Sequence, residues 1–166
     1  STPFFKYFNT DLFEVYIYSN TETNDEIQSQ FKSYPVHWND ISKLTDIEVY
    51  NLVQSHNINI MLDISSHTGV NRLKLFCYRL APIQISYLAY PNTTGLRTMN
   101  YKLVDEYLMT DTMQSLYTET LIPLKYGIHS YTPHPDNFNI DYKLEPNGKI
   151  RFGCFNNPTK MGKRCI

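Results

Sequence analysis

Short apolar segments recur along the first three-quarters of the chain, and more polar stretches separate them. Residues 12–18 alternate in polarity and are rich in aromatic and β-branched side chains, which predicts a strand. Residues 58–64 and 83–88 are continuously apolar rather than alternating, as expected of strands covered on both faces in a parallel sheet. The complete set of predicted strands up to residue 124 is 12–18, 34–38, 58–64, 83–88, 101–105 and 120–124.

Two signatures of a helix start lie between the first three predicted strands. In each, a Thr side chain is placed to accept from the amide three residues on, and a Glu side chain is placed to reach back. Thr23 with Glu26 predicts a helix that runs to about residue 33. Thr45 with Glu48 repeats the pattern and predicts a second helix.

Two more helices are predicted between the later strands. Apolar residues recur at helical spacing over residues 70–80, and this segment is long enough for the crossover that joins two parallel strands. Asp111, with Gln114 three residues on, predicts the start of a further helix before the strand at 120–124.

The alternation of strands and helices defines the predicted fold class. It is α/β, a Rossmann-like doubly wound and mostly parallel sheet, in which ligands bind beyond the carboxyl ends of the strands. Residues 125–148 are a polar connection rich in Pro, Asn and His. A new strand is predicted at residues 149–155, too close to residue 166 to complete a domain of its own.

Composition narrows the class of protein. The 166 residues are 42% hydrophobic, which excludes a disordered chain. Their net charge of −1 argues against nucleic acid as a partner. The apolar runs are too short to cross a membrane. Three widely spaced cysteines indicate neither a disulfide framework nor a zinc site. We therefore expect a soluble cytoplasmic protein with neither nucleic acid nor membrane as a partner.

Two loops hold the candidate chemistry, and each follows a predicted strand. Residues 63–69 combine an Asp, two Ser, His67 and Thr68, and the start of the next helix there is placed to receive an anion such as a phosphate. The plainer interpretation, that Thr68 caps the helix and His67 is a loop residue, is favoured on this segment alone. Residues 88–95 add Tyr90, whose ring suits stacking on a sugar or base, and two Thr hydroxyls.

The sequence lacks the motifs of several other kinds of functional site. The sequence has no G-x-G-x-x-G or Walker pattern, no G-x-S-x-G and no D-x-D. His129 and His134 lie five residues apart in a Pro-rich segment without nearby acidic or Cys partners, which favours a solvated loop over a metal site.

Taken together, the motifs resemble the catalytic region of the O-linked N-acetylglucosamine transferases, including their bacterial homologues and SPINDLY-type relatives. Two motifs carry most of the likeness: Arg-x-Ala-Pro-Ile-Gln at residues 79–84 and Leu-x-Tyr-Pro-x-Thr-Thr-Gly at residues 88–95. Further matches are His67-Thr68, the Asn-Arg-Leu of residues 71–73 and the Phe-Gly of residues 152–153, so that the likeness covers nearly the whole chain.

The resemblance implies a two-lobed GT-B glycosyltransferase. Residues 1–124 would be its amino-terminal lobe without the first strand, residues 125–148 a connection, and residues 149–166 the start of the carboxyl-terminal lobe. Such an enzyme moves a sugar, here N-acetylglucosamine from UDP-N-acetylglucosamine, to Ser or Thr of acceptor proteins without a metal or other cofactor. The substrate-binding residues implied are His67, Thr68, Leu88, Ala89, Tyr90, Pro91, Thr93 and Thr94.

The resemblance implies no catalytic residue within the chain, because the family's Asp and His loop would fall before Ser1. We therefore expect these residues alone to be inactive. Two alternatives stay open: fucose from GDP-fucose as the donor, and a non-catalytic interaction or nucleotide-binding module derived from such an enzyme. The sequence also departs from the family pattern, most notably where Ser66 and Ala89 replace glycines and thereby add side chains where a backbone approaches a ligand.

Overall fold

The computed structural model describes residues 2–23, 25–88, 90–131, 153–155 and 157. The chain divides into two compact units, Ser1–Thr132 and Pro133–Ile166, and the fold described below is that of the first. The predicted connection at 125–148 and most of the predicted strand at 149–155 lie outside the described residues. Residues 153–155 do not form a strand, and no described strand pairs with them.

The described residues of the first unit form six parallel strands, three α-helices and three short 3₁₀ helices. The strands form two sheets, one in the order β1-β2 and one in the order β3-β4-β5-β6. In chain order the elements are α1 (Thr2–Tyr7), β1 (Val15–Ser19), α2 (Glu26–Lys32), β2 (Val36–Asp40), α3 (Asp46–Ser55), β3 (Ile60–Asp63), β4 (Ile83–Ser86), β5 (Tyr101–Asp105) and β6 (Thr120–Leu124). Each predicted strand up to residue 124 is therefore present, and the prediction of a parallel α/β fold is confirmed.

The two predicted helix starts have different outcomes. Thr45 forms the complete capping box with Glu48, and α3 follows it as predicted. The box predicted at Thr23 is wrong, because Asp25 caps α2 by accepting from the Gln28 amide at 2.7 Å. Asp25 stands directly before the first helical residue, so its short carboxylate reaches the orphan amide of the first turn.

The crossover from β3 to β4 is a 3₁₀ helix, Leu73–Tyr78, rather than the predicted α-helix over residues 70–80. Val70 and Arg79 bound it with positive φ angles of 47° and 53°, which leaves too few residues for an α-helix of ordinary length. The buried Gln84 side chain fastens this crossover to the sheet, since it accepts from the Leu80 amide at 2.8 Å and donates to the Phe76 carbonyl at 3.0 Å.

The helix predicted from Asp111 and Gln114 is also absent. Two short 3₁₀ helices, Glu106–Leu108 and Met113–Leu116, connect β5 to β6 instead. Gln114 does not take part in a cap: it donates to the Glu119 carbonyl at 2.8 Å and accepts from the Leu121 amide at 3.0 Å. A side chain bound to the next strand is not available to close a helix start.

The hydrophobic core lies between α3, the 3₁₀ crossover and one face of β3. Arg72 ties this layer to the β1-β2 sheet, because its guanidinium donates to Asn20 at 3.1 Å, to Asp46 at 2.6 Å and to the Leu44 carbonyl at 2.8 Å. Asn20 directly follows β1, and Leu44 lies between β2 and α3. The buried core residues are Ile41, Val49, Val53, Met61, Leu73, Leu75, Phe76, Leu80, Ala81 and Met99.

The caps assigned to α2 and α3 can be tested by three substitutions. Thr45→Ala and Asp25→Ala each remove a side-chain acceptor at a helix start and should each lower the free energy of unfolding by about 1 kcal/mol. Thr23→Ala should change it by less than about 0.5 kcal/mol, since surface substitutions away from a cap are near neutral. Urea unfolding of the three variants measures this, and an effect of Thr23→Ala equal to that of Asp25→Ala would contradict the assigned cap.

Candidate functional site

The two candidate loops begin at the carboxyl ends of neighbouring strands. β3 and β4 pair in parallel with Asp63 opposite Ser86, so the chain leaves both strands at the same edge of the sheet. His67 in the first loop reaches Thr93 in the second, with its Nε2 3.1 Å from the Thr93 carbonyl oxygen. The structure therefore brings together the two loops that the sequence singles out.

The first loop is organised by the Asp63 carboxylate. Its Oδ1 accepts from the Ser65 and Ser66 amides, both at 3.1 Å. Thr68 donates its hydroxyl and its amide to the Ser65 carbonyl, so it closes a turn instead of capping a helix. Both interpretations of this loop, the favoured Thr68 cap and the alternative anion site, assume a helix start, and both are wrong in this respect because no α-helix follows the loop. The Ser65 and Ser66 amides are bound by Asp63.

Ser66 is a strained point in this loop. Its φ of 46° lies in the left-handed region, which costs a residue with a Cβ more than it costs glycine. Its side chain is fully buried, and its Oγ has no hydrogen-bond partner among the described residues. This conformation explains why a glycine would suit the position better than the serine found there.

His67 and Tyr90 form the exposed part of the site. Their rings meet edge to face, with centroids 5.3 Å apart and planes at 78°. Because the Thr93 carbonyl can only accept, His67 Nε2 must donate, and the neutral imidazole then keeps Nδ1 as an acceptor. Thr68, Tyr90 and Pro91 are exposed beside it.

Hydrogen bonds from Lys102 and Tyr117 hold the backbone of the second loop on the sheet. Lys102 of β5 donates to the Tyr90 carbonyl at 3.0 Å, and the Tyr117 hydroxyl donates to the Pro91 carbonyl at 2.9 Å. Leu88 enters the loop with a φ of 60°, in the left-handed region. Ala89 is outside the described residues.

Glu119 supports the far end of the loop from below. Its side chain is 0% exposed; Oε2 accepts from the Thr93 hydroxyl at 2.6 Å, and Oε1 accepts from the Thr94 amide at 2.7 Å and from the Thr94 hydroxyl. Burial by itself raises the pKa of Glu119, but the hydrogen bonds from the two threonines outweigh it, and the pKa lies below its ordinary value of 4.5. A buried carboxylate held in this way stays ionised.

Lys102 supplies a positive charge near that carboxylate. It is 2% exposed, and its Nζ also donates to Ser86 Oγ at 3.1 Å. Burial lowers the pKa of Lys102, while the negative charges of Glu119 and Asp63 partly offset the shift. Lys102, Glu119 and Asp63 are thus all buried beneath the loops, and the two carboxylates influence Lys102 through their charge without forming an ion pair with it.

The predicted site residues thus separate into two groups. His67, Thr68, Tyr90 and Pro91 face solvent, whereas the hydroxyls of Thr93 and Thr94 are engaged by Glu119. Glu119 and Lys102 are not among the residues predicted for the site. The available signal was a lysine next to Leu103 and Val104 in a predicted strand, because a lysine buried in a strand needs charged or polar partners.

Comparisons with known proteins agree with this fold. A model of glycosyl transferase family 41 matches residues 2–132. An O-GlcNAc transferase mutant from Thermobaculum terrenum superimposes with a TM-score of 0.77 at 36% sequence identity, over 81% of this chain and 26% of that one. The chain belongs to glycosyl transferase family 41, and the predicted likeness to the amino-terminal half of a GT-B enzyme is confirmed.

Curated plant proteins are also similar. The probable UDP-N-acetylglucosamine--peptide N-acetylglucosaminyltransferase SPINDLY of Eustoma exaltatum subsp. russellianum is 30% identical over 165 residues, which is 96% of this chain and 18% of that protein. The protein of Arabidopsis thaliana named probable UDP-N-acetylglucosamine--peptide N-acetylglucosaminyltransferase SEC is 29% identical over 95% of this chain and 17% of its own length. The chain therefore spans less than a fifth of the length of these relatives. Within the described residues, no helix has the length and apolar character needed to cross a membrane.

The Glu119 network yields a pH-dependent prediction. Because the folded pKa of Glu119 is below its unfolded value, its contribution to stability is complete above about pH 4.5 and is lost as the pH falls towards the folded pKa. Glu119→Gln should lower the free energy of unfolding by about 2 kcal/mol at pH 7. The difference from wild type should shrink from pH 5 to pH 3 in urea unfolding. Glu22→Gln, at an exposed position, is the control; a constant Glu119→Gln difference across this range would contradict the assignment.

Ser66 yields a prediction of the opposite sign. Ser66→Gly removes a buried hydroxyl without a partner and relieves the left-handed backbone, so it should stabilise the chain by about 1 kcal/mol. The matched change Ser65→Gly, at a neighbour with a negative φ, should destabilise it by a few tenths to 1 kcal/mol. Thermal and urea unfolding measure both; stabilisation by neither variant would show that Ser66 is not strained.

Proposed function

We propose that the polypeptide carrying these residues transfers N-acetylglucosamine from UDP-N-acetylglucosamine to Ser or Thr hydroxyls of proteins. In this proposal the two joined loops form the sugar-facing wall of the donor site. The contact between His67 and Thr93 is the observation that carries it, since it brings both candidate loops to one edge of the sheet in a chain of family 41. The similar plant proteins are probable UDP-N-acetylglucosamine--peptide N-acetylglucosaminyltransferases, which supports the choice of donor, and the similar Thermobaculum terrenum protein is an O-GlcNAc transferase, which supports the choice of sugar.

The exposed side chains have the chemistry that a sugar requires. The His67 and Tyr90 rings offer apolar surface against which a sugar face packs. His67 Nδ1 and the Thr68 hydroxyl oxygen are acceptors for sugar hydroxyls. Leu88, Ala89 and Pro91 belong to the same wall in this proposal, on the strength of the sequence motif at residues 88–95.

The fixed loop backbone favours binding for a second reason. Lys102 holds the Tyr90 carbonyl, and Glu119 holds both threonines, before any ligand arrives. A wall that is already ordered loses little conformational entropy when a ligand binds. Thr93 and Thr94 therefore act in this proposal by positioning the loop, and His67 and Tyr90 make the contacts.

The two loops do not provide groups that stabilise the departing diphosphate. Negative charge grows on the diphosphate as the bond to the sugar breaks, and cations or amide groups must stabilise it. Lys102 is buried and engaged with Ser86 and Tyr90, so it is not available to a phosphate. We infer that groups outside the described residues supply this stabilisation without a metal ion, and that the 166 residues alone do not transfer sugar.

Binding of the donor to the 166-residue chain tests the proposed wall. Titration with UDP-N-acetylglucosamine should shift the amide NMR signals of residues 67, 68 and 90, with a Kd in the millimolar range, about −4 kcal/mol. His67→Ala and Tyr90→Ala should each weaken binding about tenfold, the loss of roughly 1.4 kcal/mol of contact. His37→Ala, at an exposed histidine of β2, should not change it.

Three other results would contradict the proposed binding site, the proposed donor or the inferred inactivity. Shifts confined to the cavity of about 430 Å³ lined by Asn20, Glu22 and Arg72 would show binding at a different place. Stronger binding of GDP-fucose than of the UDP sugar would replace the donor. Transfer of radiolabelled sugar to a protein acceptor by the purified chain would contradict the inferred inactivity.

A further inference from the structure

The strand β6 lies at one edge of its sheet, because it pairs with β5 and with no other described strand. The Thr120 amide donates to the Asn100 carbonyl at 3.0 Å, so the backbone groups of Thr120 point towards β5. Since these directions alternate along a strand, the backbone groups of Leu121 and Pro123 face outward, as does the Glu119 carbonyl. An exposed row of such groups is a template on which a strand of another chain can pair.

The Gln114 side chain already occupies part of this row. Its Nε2 donates to the Glu119 carbonyl at 2.8 Å, and its Oε1 accepts from the Leu121 amide at 3.0 Å. In a parallel ladder, the N–H and C=O of one residue bind the carbonyl and the amide that flank the residue opposite to it. The carboxamide of Gln114 therefore makes the two hydrogen bonds that a residue of a further strand, placed opposite Thr120, would make.

The 3₁₀ helix Met113–Leu116 holds Gln114 beside the edge. The Tyr117 amide donates to the Gln114 carbonyl at 3.2 Å, and the Ser115 hydroxyl donates to the Thr112 carbonyl at 2.7 Å, so this turn is closed by its own hydrogen bonds. Gln114 is itself exposed and is not part of the hydrophobic core. Its two hydrogen bonds to β6 thus serve the edge of the sheet and not the packing of the interior.

Pro123 closes the next part of the edge. It is the residue of β6 after Leu121 whose backbone faces outward, and it is exposed and has no N–H to donate. Proline within a sheet is confined to places where a donor would face away from the neighbouring strand. With the Leu121 amide bound by Gln114, an incoming strand finds no free amide at residue 121 or residue 123.

The composition of β6 gives this closure a physical reason. The strand reads Thr-Leu-Ile-Pro-Leu and has no charged residue. Charged side chains are one common means by which natural proteins keep an edge strand from pairing with another chain, and proline is a second. Short uncharged segments with high β-propensity pair readily when neither is present. Gln114 and Pro123 stand where a charge would otherwise be needed.

We propose that Gln114 and Pro123 together close the outer edge of β6 and so keep copies of this chain from pairing edge to edge. Gln114 imitates the backbone of a neighbouring strand, and Pro123 removes the next donor. The edge adjoins the candidate site, because Gln114 binds the carbonyl of the same Glu119 whose carboxylate holds Thr93 and Thr94. A strand added there would displace Gln114 from Glu119, so the closed edge also protects the second loop. The proposal rests on the sheet edge and is independent of sugar transfer.

Opening the edge tests the proposal. The double variant Gln114→Ala/Pro123→Val removes the carboxamide and restores a backbone donor at residue 123. In sedimentation velocity over a dilution series, its self-association should be at least about tenfold tighter than that of the wild-type chain. Gln30→Ala, at another exposed glutamine, is the control and should match wild type. Association through any other surface is common to all of these chains and cancels in the comparison.

Amide hydrogen exchange measured by NMR identifies the surface that pairs. In dilute Gln114→Ala, the Leu121 amide should exchange at least about tenfold faster than in wild type, because its acceptor is gone. In the double variant, protection of the amides of residues 121 and 123 should rise with concentration. Should the double variant not fold, Gln114→Ala alone decides the matter, since it opens part of the edge and should still associate more tightly than Gln30→Ala.

Three results would overturn the proposal. The first is self-association of a folded double variant, or of Gln114→Ala where the double variant does not fold, that equals that of Gln30→Ala. The second is unchanged exchange of the Leu121 amide in Gln114→Ala. The third is association of the double variant without concentration-dependent protection of residues 121 and 123, because the copies would then meet at another surface.

Discussion

The buried carboxylate of Glu119 is the interaction on which the candidate site depends. A charge taken out of water is costly unless hydrogen bonds compensate for it, and here the hydrogen bonds from Thr93 and Thr94 do so. The cost of breaking such a network is far larger than the net gain from forming it. The network therefore restricts the loop to one backbone path more than it adds to overall stability.

That restriction determines which atoms the loop presents. The threonine hydroxyls point inward to Glu119, and the Tyr90 carbonyl points inward to Lys102, so the Tyr90 ring is directed outward beside His67. The polar groups of the second loop thus form their hydrogen bonds with the protein beneath it, and the Tyr90 ring stays accessible to a ligand. The first loop is arranged in the same way: Asp63 accepts from the Ser65 and Ser66 amides, and the His67 ring stays exposed.

The strands could be predicted from the sequence because apolar and β-branched residues cluster in short runs, as at residues 58–64. The expected burial of that segment on both faces is wrong, since Ile60 and Leu62 are 50% and 45% exposed. The helices were harder to predict. Thr23 and Thr45 have the same local pattern, yet only Thr45 caps a helix, because Asp25 lies nearer to the start of α2 and competes for the same orphan amides. Over residues 70–80 the apolar spacing is correct, but the positive φ values that shorten the element depend on packing.

The candidate site divides in a similar way. The adjacency of the two loops follows from strand order alone, and it was predictable. The buried role of Glu119 was not, because a charged residue in a single sequence is more often exposed and nothing local marks its partners. Lys102 left only a weak signal, its place among the apolar residues of a predicted strand. The helix-start anion site is absent for a different reason: Asp63 forms a turn, in which it accepts from the amides two and three residues on, and no α-helix follows that turn.

Arg72 has a consequence for how the unit responds to force or mutation. Its guanidinium is bound to Asn20 after β1, to Leu44 after β2 and to Asp46 in α3, and so it bridges the two sheets at their carboxyl ends. No described strand of one sheet pairs with a strand of the other. Replacement of this single side chain would therefore remove contacts to the ends of both β1 and β2 and to the first turn of α3 at the same time.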